Sequence, residues 1–144
     1  MSERRRGKYK TEETQGRLGS VSRADTTNPK DLLGALKPSL SKVPGAALIY
    51  MAMGLGDGAE KYGAYNWRAK KVIASIYVDA AMRHIIAWFD GEENAADSGV
   101  PHLAHALSSL AIIVDAYETG NLIDNRPLPG AAAKLLAKYT KKKE

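Results

Sequence analysis

Cysteine is absent from this 144-residue chain, so the chain can form neither a disulfide, nor a thiolate nucleophile, nor a zinc–thiolate site. The longest stretches without charge fall short of the roughly 18 to 20 apolar residues that span a membrane. No apolar run follows the basic residues 1–10, so they do not resemble a secretory signal. The sequence therefore predicts a soluble, reduced, cytoplasmic protein with no membrane partner.

Positive charge is concentrated at the two ends of the chain. The net charge is +5, but nine of the 21 basic residues lie in residues 4–10 and 138–143. Because the remainder is slightly acidic, we interpret these ends as solvated tails, and nucleic acid is not an expected partner. With 44% apolar and 26% charged residues, the composition is typical of one globular domain with tails.

Sequence patterns divide the chain into three parts. Residues 1–27 are polar and poor in large apolar side chains, which predicts a flexible basic arm. Residues 28–120 carry the helical periodicity, and residues 121–144 predict a connector followed by a basic helix or tail. No alternating apolar run with a hairpin turn occurs. We therefore predict an all-α fold, a compact bundle of three to five helices with flexible basic tails.

Three long helices are expected within this bundle. The first spans residues 43–62, after an irregular segment at 30–40, and its glycines predict a bend or break near Gly54–Gly58. The second spans residues 72–90, where apolar side chains recur at three- and four-residue steps. The third spans residues 101–117.

The third helix is almost uncharged. Asp115 is its one formal charge, so we expect this helix at the centre of the bundle or in a subunit interface. Asp97 or Ser98 is the expected cap at its start. Because so small a bundle cannot cover all of its apolar surface, we expect a homodimer or a homotetramer.

A corner bracketed by two glycines precedes the second helix. Lys61 and Tyr62 lie between the glycines, and Asn66, Trp67 and Arg68 follow. Exposed backbone N–H groups and two positive charges suit a phosphate, and an aromatic ring offers a flat surface to a base. The same residues also fit a plain helix end anchored by the tryptophan.

The second helix carries three residues with polar side chains that could act in chemistry. Asp79 and Arg83 are four residues apart, which is the spacing of a surface ion pair. His84 falls on the apolar face of the helix, where a lone histidine is most often a core residue. It gains a functional interpretation only if other polar groups converge on it.

Carboxylates and imidazoles follow one another in the next segment. Glu92 and Asp97 belong to an acidic loop, and His102 and His105 begin the third helix on one side of it. Oxygen and imidazole ligands of this kind suit Mg²⁺ or Mn²⁺. A weaker alternative is a metal cage made by two acid pairs, Asp90 with Glu93 and Asp115 with Glu118.

Several short motifs, taken together, resemble one known family. They are Asn28-Pro29-Lys30-Asp31, Val43-Pro44, Gly58-Ala59-x-Lys61-Tyr62-Gly63-x-x-Asn66-Trp67-Arg68, Arg83-His84-x-x-Ala87-Trp88-x-x-Gly91-Glu92, the turn Asp97-Ser98-Gly99, and His102-Leu103-Ala104-His105-Ala106. In this order, across residues 28–117, they resemble the phage dATP/dGTP diphosphohydrolases of the MazZ type. That family is similar to the all-α MazG-like nucleotide pyrophosphohydrolases.

The resemblance implies an activity and a cofactor. It implies metal-dependent hydrolysis of dGTP or dATP between the α- and β-phosphates, with Mg²⁺ or Mn²⁺, by a domain at residues 28–120. The setting that it implies is nucleotide-pool remodelling by a phage in the host cytoplasm. MazG-like enzymes hold their ions with Glu-x-x-Glu and Glu-x-x-Asp pairs, and neither pair occurs here. The expected metal ligands are therefore either the acidic loop with the histidines that follow it, or the two substituted acid pairs.

The residues receive the following expected roles. Glu92 and Asp97, with His102 or His105, hold the ion and orient the attacking water, and His84 supports them or acts as a general acid or base. The residues expected to bind the purine deoxynucleotide are Lys61, Tyr62, Asn66, Trp67, Arg68, Asp79 and Arg83. All of these groups are expected to share one cleft.

Two other functions fit parts of the sequence. A non-enzymatic helical phage accessory protein would bind nucleic acid through its basic tails, but it gives no reason for the polar residues in the middle of the chain. A phosphohydrolase of the HD type needs a contiguous His-Asp pair, and the sequence contains none. A nucleotide hydrolase is therefore the preferred interpretation.

Overall fold

The computed structural model describes residues 28–141, and every structural statement below concerns that part of the chain. The arm predicted for residues 1–27 and the last three residues lie outside it. The described chain falls into two units that divide between Val43 and Pro44. In the first, helix α1 spans Pro29–Gly34 and a 3₁₀ turn spans Leu40–Lys42.

Helix α1 corrects the expectation of an irregular segment at residues 30–40. The Asn28 side chain accepts a hydrogen bond of 3.0 Å from the Lys30 amide, and Pro29 occupies the first helical position. Proline is well suited to that position because its fixed φ is helical and it has no N–H to satisfy there. These two residues are enough to begin a short helix.

The second unit is mostly helical, which confirms the predicted all-α class. Its elements in chain order are α2 Gly45–Tyr62, α3 Asn66–Ala69, β1 Val72–Ile73, α4 Ala74–Phe89, α5 His102–Glu118, β2 Leu122–Ile123 and α6 Ala132–Tyr139. None of the described helices is long and apolar enough to cross a membrane. The two strands, which are parallel and only two residues long, were not predicted, because so short a strand has no alternating apolar pattern.

Helices α4 and α5 form an antiparallel pair at the centre of this unit. Val72, just before α4, pairs with Leu122, just after α5, and His84 in the second half of α4 contacts His102, the first residue of α5. Helix α5 packs against both α4 and α2, and Ala104 and Ala116 are fully buried in it. The prediction that the nearly uncharged helix is central is therefore confirmed.

Helix α2 is continuous through the glycines where a bend or break was predicted, so the predicted break is wrong. Gly54 is instead the point of closest approach to α5. A Cβ built on Gly54 would lie 2.7 Å from the Ser108 hydroxyl and closer still to the Ala104 carbonyl oxygen. The glycine thus serves helix packing, and the packing outweighs its low helix propensity.

The core of this unit contains few large side chains. Trp67, Val72 and Ala116 form its buried cluster, and Leu55 and Tyr77 pack against them. Many large apolar side chains stay exposed on α4, among them Ile76, Met82, Ile85, Ile86 and Phe89. Residues 28–141 of one copy therefore leave much apolar surface uncovered.

Candidate functional site

Two histidines from different helices meet at one end of the α4–α5 pair. The Nδ1 atoms of His84 and His102 are 2.9 Å apart. The intervening loop allows this contact because Gly91 adopts a left-handed φ of 103° that ends α4. The His102 amide then donates a 2.9 Å hydrogen bond to the Glu93 carbonyl and fixes the start of α5.

The third histidine joins the first two. The His105 ring stacks on the His84 ring with 4.6 Å between centroids and 20° between planes. Its Nε2 lies 2.8 Å from the Ser98 hydroxyl, which also accepts a hydrogen bond from the Val100 amide. Ser98 therefore holds His105. The cap predicted from Asp97 or Ser98 is wrong, because the N-cap of α5 is Pro101, which has no side-chain group to donate or accept a capping hydrogen bond. The three imidazoles are called the imidazole cluster below.

Glu92 reaches this cluster from the acidic loop. Its Oε2 lies 3.3 Å from His102 Nε2, and His102 is only 7% exposed. Both ring nitrogens of His102 therefore have a protein partner. The Glu92 side chain itself is 69% exposed, so it can also reach a bound molecule.

Lys61 brings a positive charge to the same place from α2. Its Nζ lies 2.8 Å from Asp57 Oδ2, and this hydrogen bond, with the nearby charge of Asp97, raises the pKa of Lys61. Two backbone N–H groups and then Lys61 and His105 lower the pKa of Asp97. Asp57 is not among the predicted site residues, although its spacing of four residues from Lys61 is an ion-pair signal.

Burial lowers the pKa of two of the imidazoles. Desolvation, followed by the charges of His105 and His102, lowers the pKa of His84. Desolvation is also the largest influence on His105 and lowers its pKa, although Asp57 and Asp97 oppose it. The lowered pKa favours the neutral imidazole, which has a lone pair on one ring nitrogen that can accept a hydrogen bond or a proton.

Arg68 and Trp67 lie elsewhere, on Asp115. Arg68 binds both carboxylate oxygens at 2.8 and 2.9 Å, and the Trp67 indole N–H donates at 2.6 Å. Asp115 follows His105 by ten residues, or about 15 Å along α5. The corner expected to share one cleft is therefore divided: Lys61 faces the imidazole cluster, whereas Arg68 and Trp67 join α3 to α5.

Burial of Trp67 bears on its expected role. Trp67 is 8% exposed and belongs to the core, so its position agrees with the interpretation in which it anchors the helix end. Hydrogen bonds from Arg68 and Trp67 lower the pKa of the Asp115 carboxylate to about 2. An ion pair of this kind holds the corner in place at neutral pH.

The other expected substrate-binding residues are spread over the surface. Tyr62 and Asn66 line a surface pocket together with Lys70, and Tyr62 is 73% exposed. Arg83 is exposed on α4 and is close enough to influence His84. Asp79 lines a cavity on the outer face of α4 and α5, away from the imidazoles, and within the described chain it forms no ion pair with Arg83.

The expected metal ligands do not form a ready-made cage. Across residues 28–141 no group of three or more His, Asp or Glu side chains is arranged to hold an ion. His102 uses both ring nitrogens on protein partners, and Asp115 of the alternative acid pairs is engaged by Arg68 and Trp67. The accessible carboxylates beside the imidazole cluster are those of Glu92 and Asp97.

Two comparisons with known proteins point to the same kind of protein. The family model described as "dATP/dGTP diphosphohydrolase, N-terminal" matches residues 27–126. A protein of Salmonella phage PMBT28 named dATP/dGTP diphosphohydrolase is 33% identical over 73 residues. The aligned region is 51% of this chain and covers only 22% of that relative. No solved structure matches the chain.

Proposed function

Because the chain belongs to the family of the dATP/dGTP diphosphohydrolase N-terminal region, we propose that it hydrolyses dGTP or dATP between the α- and β-phosphates. The products are the deoxynucleoside monophosphate and pyrophosphate. The observation that carries this proposal is the imidazole cluster, in which His84 contacts both His102 and His105 beside Lys61 and Asp97.

Hydrolysis of the triphosphate requires positive charge near the phosphates and a group that accepts a proton from water. The triphosphate carries several negative charges, and Lys61, helped by exposed Arg83, neutralises part of them. An imidazole of the cluster takes a proton from water as the water oxygen bonds to the α-phosphorus. The bond from that phosphorus to the bridging oxygen breaks, and pyrophosphate leaves. No covalent enzyme intermediate is required, in agreement with a chain that lacks cysteine.

A divalent ion enters this proposal with the substrate. The described residues offer no ready-made cage, so we assign Mg²⁺ or Mn²⁺ to the triphosphate that it accompanies. Glu92 and Asp97 are the carboxylates available to that complex, and His102 or His105 is a further ligand only if its present hydrogen bond is exchanged. Glu92 is the better placed of the two acids because it is both exposed and in contact with the cluster.

Recognition of the purine is assigned to the exposed side of the corner. Tyr62 offers an exposed ring and Asn66 lies in the same surface pocket. Trp67 follows Asn66 in the sequence, but it is buried in the core and does not line this pocket. Amide and aromatic groups of this type hydrogen-bond and stack on bases.

The physiological setting is also part of the proposal. Nucleotide-pool remodelling during phage infection would take place in the host cytoplasm, where deoxynucleotides are made. A homodimer or homotetramer is proposed because α4 leaves Ile86 and Phe89 more than half exposed.

The direct test is pyrophosphate release by the purified chain. Each of the four dNTPs is incubated with Mg²⁺, with Mn²⁺ or with EDTA, and both pyrophosphate and monophosphate are quantified. We expect release from dGTP or dATP with a divalent ion and none with EDTA. Release of inorganic phosphate instead of pyrophosphate, or no product from any dNTP, would contradict the proposal.

A further inference from the structure

A large apolar groove lies on the outer face of α4 and α5. Its cavity measures about 480 Å³ and is lined by apolar side chains that include Val78, Ile113, Val114 and Tyr117. Tyr117 follows Ser108, the residue against Gly54 of α2, by nine residues, or two and a half turns. The groove is therefore on the opposite side of α5 from α2, where the described chain leaves Val114 and Tyr117 more than half exposed.

The groove has an acidic edge. Asp79 on α4 and Glu118 on α5 both line it. Arg126 also lines it, but this guanidinium already binds Asp124 through two hydrogen bonds of 2.6 and 2.8 Å. A ligand that combines apolar side chains with free positive charges would match this surface.

Helix α6 has that combination. Every residue of α6 is exposed, and Leu135, Leu136 and Tyr139 present apolar side chains while Lys134 and Lys138 present charge. Leu135 and Tyr139 are four residues apart and lie on one face of the helix. An exposed helix of two turns has little stability of its own, so it gains most by packing against another surface.

We propose that α6 of a second copy of this chain docks in the α4–α5 groove, and that the two copies exchange these helices symmetrically. The apolar side chains of α6 would fill the cavity, and its lysines would approach Asp79 and Glu118. Asn125 binds the Ser75 amide and hydroxyl at 3.0 and 2.7 Å, which fixes the connector beside the groove. Pro127 and Pro129 stiffen the following chain, and α6 of the same copy leaves its own groove open. The inference concerns assembly and holds independently of the proposed hydrolysis.

Cross-linking tests which copy fills the groove, because the natural chain contains no cysteine that would interfere. One full-length copy carries Val114→Cys with an affinity tag, the other carries Leu135→Cys, and a flexible bismaleimide joins them. We expect a cross-linked product of the two chains. The matched control replaces Val114→Cys by Leu48→Cys, an exposed apolar position on α2 that is expected to give none.

Two outcomes of this experiment would overturn the proposal. The first is equal cross-linking of the groove and control positions. The second is cross-linking only within one chain when Val114→Cys and Leu135→Cys are placed together, which would show that each copy covers its own groove.

Charge reversal supplies a second, independent readout in the absence of nucleotide. Lys134→Glu with Lys138→Glu, or Asp79→Lys with Glu118→Lys, is expected to lower the molar mass measured by light scattering toward that of a monomer. Mixing the two reversed chains is expected to restore it, whereas a folding defect would not be rescued by mixing. A natural chain that is monomeric throughout would contradict the proposal without bearing on pyrophosphate release.

Discussion

His84 Nδ1 lies 2.9 Å from His102 Nδ1, so one of these two nitrogens must carry the shared proton. On its other side His102 faces Glu92 through Nε2. A carboxylate only accepts hydrogen bonds, which places a proton on His102 Nε2; in the neutral form of the His102 ring, Nδ1 is then the acceptor. His84 must then donate from Nδ1. It follows that the free lone pair of His84 is on Nε2, the atom that can accept a proton from water.

Replacement of His84 by alanine is the first test of this assignment. We expect His84→Ala to lower kcat for pyrophosphate release by about 10²- to 10⁴-fold, the usual contribution of a general base, with a smaller effect on KM. Ile85→Ala, at the exposed neighbouring position on α4, should retain kcat. Equal losses in both variants would show that the effect comes from α4 and not from the imidazole.

The lowered pKa values of His84 and His105 predict a loss of stability in acid. Between the lowered values and the ordinary histidine pKa of about 6.5, the unfolded chain binds more protons than the folded chain. The free energy of unfolding therefore falls as the pH decreases below about 6.5. Melting temperatures measured from about pH 7.5 to about pH 5 should show this decline. A double variant, His84→Asn with His105→Asn, should give a flatter profile.

Two glycines of α2 should respond in opposite directions to substitution by alanine. Gly54→Ala forces a methyl group onto Ala104 and Ser108 and should destabilise the protein by about 1 to 3 kcal/mol. Gly56→Ala meets nothing within 4 Å and should stabilise it by up to about 1 kcal/mol. Urea unfolding of the two variants checks both signs. Stabilisation by Gly54→Ala would mean that α2 does not pack as described.

Sequence periodicity was sufficient for the central helices, and it failed where tertiary contacts decide the structure. The predicted spans of the second and third helices, 72–90 and 101–117, differ from those of α4 and α5 by at most two residues at either end. These spans could be predicted because apolar side chains at helical spacing lie on the face of the helix that packs against its neighbours. The sequence predicts a weak point at Gly54 because the low helix propensity of glycine is visible in it, whereas the surface of α5 that Gly54 contacts is not.

The candidate site shows the same limit. The gathering of three histidines could be expected because one helix–loop–helix carries them all. The division of the corner could not, because the partner of Arg68 is Asp115, 47 residues away. A single guanidinium can bind a substrate phosphate or a protein carboxylate, and local spacing does not distinguish the two.

Asp115 should matter for stability more than Asp124, although both carboxylates have a pKa of about 2 and bind an arginine. Asp115 joins α5 to Arg68 and Trp67, whereas Asp124 binds Arg126 only two residues away. We expect Asp115→Asn to lower the melting temperature by several degrees and Asp124→Asn to change it little. With Trp88→Phe in both variants, so that Trp67 is the remaining tryptophan, the fluorescence should shift toward that of an exposed indole only in the first variant. A similar change in both would contradict the joining role.

A Lys61 variant tests whether the phosphates bind beside the imidazole cluster or beside Arg68. It faces Asp97 and His105, whereas Arg68 is occupied by Asp115. We expect Lys61→Ala to raise KM for the purine dNTP about tenfold or more, since a charge-assisted hydrogen bond contributes roughly 1.5 to 3 kcal/mol. Lys71→Ala, an exposed lysine before β1, should leave KM unchanged. The contrary outcome is an unchanged KM in Lys61→Ala together with weaker substrate binding, at unchanged stability, in Arg68→Ala. The phosphates would then bind on the Asp115 side of α5, and the imidazole cluster would not be the reaction centre.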